Sequence, residues 1–132
     1  PDDPAILGFS NRWYREAFDN PDTFTLPNGE DVRIAKPIYF AACKIEAIHG
    51  RAKSDYLASH DLEDLCTVLA ALPSLREQIE SGKPAVAKDV KKALQTFAKK
   101  PGFLDAIVAH FLPDEISQEQ AATLVRWIER LT

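Results

Sequence analysis

Proline placement constrains this chain more than any other feature. Nine prolines are spread over 132 residues, including Pro21, Pro27, Pro37, Pro73, Pro84, Pro101 and Pro113. Each lacks a backbone donor and disfavours helix in the residue before it. The chain is thereby cut into short segments, and most of these carry helical periodicity. Ser10 or Asn11 is placed to cap a helix running to about residue 20, where Pro21 ends it. Residues 24–26 and 32–35 read as two short strands around Pro27-Asn28-Gly29-Glu30, in which Asn-Gly signals a hairpin. Pro37 suits the first turn of a helix that reaches about His49 and stops at Gly50. Residues 50–58 read as a loop. Ser59 or His60 opens a helix over 61–72, which Pro73 breaks, and residues 75–81 give a further helical turn or two. Gly82-Lys83-Pro84 is the clearest break. Beyond it, 85–99, 102–112 and 117–131 are helical, the last with Ser117 as its cap. The expected fold is mainly α with some β: a bundle-like helical domain with a short hairpin near its start. Residues 1–82 form its first part, and 83–132 continue the same domain.

Hydrophobic residues make up 45% and charged residues 27%, ordinary values for a globular domain. A chain this long can bury roughly two-thirds of its unfolded surface, so it needs no disulfide or metal staple. Ile38 to Cys43 is the longest apolar run, far short of the ~20 residues of a membrane helix. No signal-peptide pattern is present. Cys43 and Cys66 sit in apolar contexts without Cys-x-x-Cys spacing, which predicts buried free thiols in a reducing cytoplasm and no zinc site. The chain begins at Pro1 and contains no Met, so the reading expects a processed protein or part of a longer one.

Net charge is −4 but unevenly placed. Residues 1–31 hold seven acids against two arginines, whereas residues 83–100 hold six lysines against Asp89 alone. Such a basic segment is most simply a solvated helix face, and it can also bind phosphate on an acidic protein.

The densest polar sequence runs from Cys43-Lys44-Ile45-Glu46-Ala47-Ile48-His49-Gly50-Arg51 to Ser59-His60-Asp61-Leu62-Glu63-Asp64. Lys44 interrupts an otherwise apolar helix, a position from which lysines usually reach back to solvent. Asp61 and Asp64, three apart, share a helix face, where acids of a first turn also complement the helix dipole. Together with Lys44 they could hold that lysine in place or ligate Mg²⁺ through oxygen. Glu46 and His49 can share a face. His49 and His60 could meet in space, although no spacing requires it, and with His110 they form no ligand motif. There is no Gly-rich phosphate loop and no nucleophile elbow.

Three ordered blocks carry a resemblance: Ile6-Leu7-Gly8-Phe9-Ser10-Asn11-Arg12-Trp13-Tyr14, then Ala35-Lys36-Pro37-Ile38-Tyr39-Phe40-Ala41-Ala42-Cys43-Lys44-Ile45-Glu46-Ala47, then Gly50-Arg51 with Ser59-His60-Asp61-Leu62-Glu63-Asp64. Over about residues 1–72 the chain resembles the rear part of AbiEii-type nucleotidyltransferases. These are toxins of type IV toxin–antitoxin and abortive-infection systems, within the DNA polymerase β-like superfamily. The resemblance implies Mg²⁺-dependent transfer of a nucleotide from an NTP to an acceptor, tRNA for some members, and an antitoxin partner. It implies a catalytic pair in Lys44 and Asp61, with Arg51 and Asp64 as substrate-binding residues. The family's Gly-Ser motif and Asp-x-Asp pair do not occur in this sequence. The chain alone is therefore expected to be inactive and to supply no metal site. Two other readings rest on other parts of the chain: a non-catalytic helical module docking through its hairpin edge, and an RNA-binding domain using the basic face at 83–100.

Overall fold

The computed structural model describes residues 13–52 and 54–132, so the cap expected at Ser10 or Asn11 lies outside the described residues. Helix α1 spans Tyr14–Asp19, followed by strands β1 (Asp22–Thr25) and β2 (Asp31–Ile34). The strands pair antiparallel with Asp22 opposite Ile34 and Thr25 opposite Asp31. The turn is built on Pro27, whose fixed φ suits its second position. The Gly29 amide closes it on the Leu26 carbonyl at 2.9 Å, and Gly29 takes a φ of +88° that a side chain would resist.

Helix α2 (Pro37–Ala47) starts on its proline as expected, but Gly50 does not end it. The helix instead widens into a π-helical turn over Ile48–Ala52. Gly50 has no left-handed conformation there; Gly29, Gly82 and Gly102 are the described glycines that do. Helices α3 (His60–Ala71) and α4 (Pro73–Ser81) meet at Leu72, so the fourth helix begins two residues before the expected 75. The proline that stops one helix is the first residue of the next. Arg76 caps the corner by donating to the Leu69 and Ala70 carbonyls, groups that a helix end leaves without intrahelical partners. Gly82, at φ +67°, ends α4. Helices α5 (Ala85–Ala98), α6 (Phe103–Ala109) and α7 (Glu115–Leu131) follow. Helix α6 is shorter than the expected 102–112. The cap of α7 is Asp114 rather than Ser117: the Ser117 amide donates to Asp114 Oδ1 at 2.8 Å and its hydroxyl to Oδ2 at 2.9 Å. Those hydrogen bonds hold the Asp114 carboxyl below its usual range.

The described residues are mostly helical with one two-stranded hairpin. One continuous core draws Ile38, Ala41 and Ile45 from α2, Leu62, Leu65 and Leu69 from α3, and Leu75 and Ile79 from α4. Across the Gly82 break it continues into Val90, Leu94 and Phe97, then Phe103 and Ile107, then Leu124 and Ile128. Trp127 is buried with its indole N–H donating to Glu80 Oε1 at 2.6 Å, tying α7 to α4. Trp13 reaches Asp89 in the same way at 3.0 Å, tying the residue before α1 to α5. Among the described residues no helix is long and apolar enough to cross a membrane.

Candidate functional site

Lys44 stands in the last turn of α2, where a cation complements the helix dipole. Its neighbours on the inward side, Ala41, Ala42 and Ile45, are buried, so the ammonium is directed across to α3. There Asp61 and Asp64 occupy the first turns on one face, as their spacing of three requires. Lys44 Nζ lies 2.8 Å from Asp64 Oδ2 and 3.3 Å from Asp61 Oδ1. It also sits 5.5 Å from the Phe40 ring centre, one helical turn back. The π-helical turn brings Arg51 to the same place, with Nη2 3.0 Å from Asp61 Oδ1. Asp61, with its side chain 15% exposed, is the most enclosed member and is shared by both cations. Burial alone would lower the pKa of Lys44, but the hydrogen bonds and charges of Asp64 and then Asp61 outweigh it. The net effect raises the pKa, and the lysine stays charged.

The chemistry of this donor set bears on one alternative left by the sequence. Asp61 and Asp64 are held by cations, so a divalent metal would have to displace Lys44 to use both. They do not fit a Mg²⁺ site in this arrangement, and their part here is to hold the lysine.

Beside the cluster lies a polar pocket of about 390 Å³ lined by Arg51, Asp55, Ala58, Ser59, His60 and Asp61. Its rim is the segment 54–59, which two residues fix in place. Tyr56 is buried with its ring edge-on to Phe103 at 5.2 Å and to Phe97 at 6.2 Å. Its carbonyl accepts from His110 Nε2 at 2.8 Å, since a carbonyl can only accept. His110 Nδ1 faces Glu63 at 4.0 Å, and His60 Nδ1 faces the other oxygen of Glu63 at 3.5 Å. Ser59, not His60, caps α3, accepting from the Leu62 amide at 3.1 Å.

Lys44, Arg51, Asp61 and Asp64, all singled out in the sequence, thus meet in one cluster. His49 and His60 do not meet. His49 stacks on Phe97 at 4.6 Å, on the side of α2 that faces α5, and His60 is exposed on α3. Glu46 and His49 do share a face, lining a groove between α2 and α5. Sequence reasoning missed His110 and Tyr56, whose contact spans 54 residues. Cys66 is buried, and burial with the nearby Glu63 charge pushes its thiol up to about 12, which removes it as a nucleophile. Comparison with known proteins finds no matching family profile, no matching curated protein and no matching solved structure.

Proposed function

We propose that this chain is the helical, substrate-holding part of an AbiEii-like nucleotidyltransferase, a toxin-type protein that moves a nucleotide from an NTP to an acceptor such as tRNA. The observation that carries the reading is Lys44, kept charged between Asp64 and Asp61 beside a polar pocket that Arg51 and Asp61 line. Nucleotidyl transfer depends chiefly on positioning and on stabilising charge around phosphates. On this reading Lys44 meets the triphosphate and offsets charge that develops there. Asp61 and Asp64 orient Lys44 and keep its proton, and Arg51 is a second phosphate contact. The four charges cancel, so recognition rests on directed N–H donors, with phosphate replacing one carboxylate on Lys44.

Mg²⁺ would accompany the nucleotide in such a reaction, and Asp61 and Asp64 are not its ligands. The sequence has no Gly-Ser dipeptide and no Asp-x-Asp triplet, so the reading assigns catalytic carboxylates to residues other than these 132. The purified chain is expected to lack transfer activity. The test is a titration with Mg-ATP followed through backbone amide NMR. Saturable shifts at Lys44, Arg51 and Asp61 that disappear in Lys44→Ala are expected. No shift at millimolar nucleotide would overturn the assignment, and transfer of labelled nucleotide to RNA by the chain alone would overturn the inactivity.

A further inference from the structure

Several cations among the described residues are engaged. Lys44 and Arg51 hold Asp61, Arg76 holds carbonyls of α3, and Lys91 donates to the Glu80 carbonyl at 3.1 Å. Lys83, Lys88, Lys92, Lys99 and Lys100 are different. All five are exposed, and among the described residues none forms an ion pair. At 100° per residue, Lys88 and Lys92 on α5 and Lys99 at its C-terminal cap fall within an arc of about 40°. They extend about 16 Å along its axis. The acid on this helix, Asp89, accepts the Trp13 indole N–H on an adjoining face.

The groove between α2 and α5 adjoins this stripe. It measures about 200 Å³, and Glu46, His49, Asp89, Lys92 and Thr96 are among the residues lining it. Lys92 belongs to both stripe and groove. The exposed His49 ring is the outer plate of a three-ring stack: it lies on Phe97 at 4.6 Å, and Phe97 lies on Phe103 at 5.0 Å, nearly parallel at 6°. Both phenylalanines are buried, so the outer plate is held in place before any ligand arrives.

We infer that this face binds a single nucleic-acid strand, with its phosphates along Lys88, Lys92 and Lys99 and one base stacked on His49. Unpaired cations along a helix suit a phosphate backbone, and a fixed aromatic plate suits an unstacked base of any sequence. An acidic peptide would use the lysines but leave the His49 plate without a role.

The inference is independent of the nucleotide site, and its test keeps the two apart. Fluorescence anisotropy of the whole chain would use labelled single-stranded RNA, single-stranded DNA of the same sequence, and their duplexes. Single strands are expected to bind more tightly than duplexes, with the tighter of the two naming the natural ligand. The slope of log affinity against log salt should be about −2, from three phosphates on a single strand. Lys88→Gln/Lys92→Gln/Lys99→Gln should remove most of that slope and at least tenfold in affinity. His49→Ala should weaken binding about tenfold at unchanged slope, and His49→Phe, which retains the plate and its packing on Phe97, should restore it. Lys44→Ala should leave the strand affinity and its slope unchanged while it removes the nucleotide shifts at Lys44, Arg51 and Asp61. Absence of binding at low salt, binding undiminished in the triple variant, or equal affinity for a polyglutamate peptide would overturn the inference.

Discussion

Burial removes water from Lys44, which by itself would favour the neutral amine. Asp64 and Asp61 reverse that preference, and the proton is held above the ordinary 10.5. A raised folded-state pKa on a base contributes stability that is complete below the unfolded value and is lost as pH rises through the folded one. The stability of the wild-type chain in urea should therefore fall above pH 10.5 more steeply than that of Lys44→Met. Cys66 acts in the same direction, because the unfolded thiol ionises near 9.0 and the folded one at about 12. Its contribution is common to both proteins, so the difference between their curves isolates the lysine. At pH 7, Lys44→Met should cost about 1 kcal/mol, since the pair is partly exposed. Equal pH curves for the two proteins would show that the lysine gains nothing from its partners. The four charged residues of this cluster were legible because a lysine among apolar neighbours and two acids three apart each imply a face. His110 was not, since nothing near it in sequence points to a carbonyl on a loop 54 residues away. The His49 ring pile was hidden for the same reason.

Prolines made the elements legible. Pro37 and Pro73 each begin a helix, and Pro21 follows the end of α1 closely. Two helix starts were decided by side chains competing for backbone groups. At α7 two residues could cap, and Asp114 prevails because its two oxygens take both the amide and the hydroxyl of Ser117. At α3 Ser59 prevails over His60, whose side chain is 93% exposed. Ser59→Ala should therefore cost about 1 kcal/mol in urea unfolding, whereas His60→Ala should change stability little. Because α3 carries Asp61 in its first turn, the loss of this cap should also move the Lys44 and Arg51 amide signals. A null result for Ser59→Ala would mean that Tyr56 packing alone fixes the start of the helix.

At the scale of the molecule, buried residues on both sides of the break at Gly82, in α4 and in α5, belong to one core cluster. Leu94, fully buried in α5, should cost about 2–5 kcal/mol when cut to alanine. Unfolding followed by Trp127 fluorescence and by far-ultraviolet circular dichroism should coincide in one transition, and separate transitions would divide the core at Gly82. The helical fold class was readable from pattern alone, but the joint after α2 was not, because a glycine after an apolar run looks like a stop. That joint has a consequence of its own. The widened turn at Ile48–Ala52 sets where Arg51 arrives by the number of residues that precede it. Removing Ile48 or Gly50 would rotate the following chain around the helix axis, with every charged group still encoded. The meeting of Arg51 with Asp61 is in this sense a matter of chain length, open to loss or repair by a single codon.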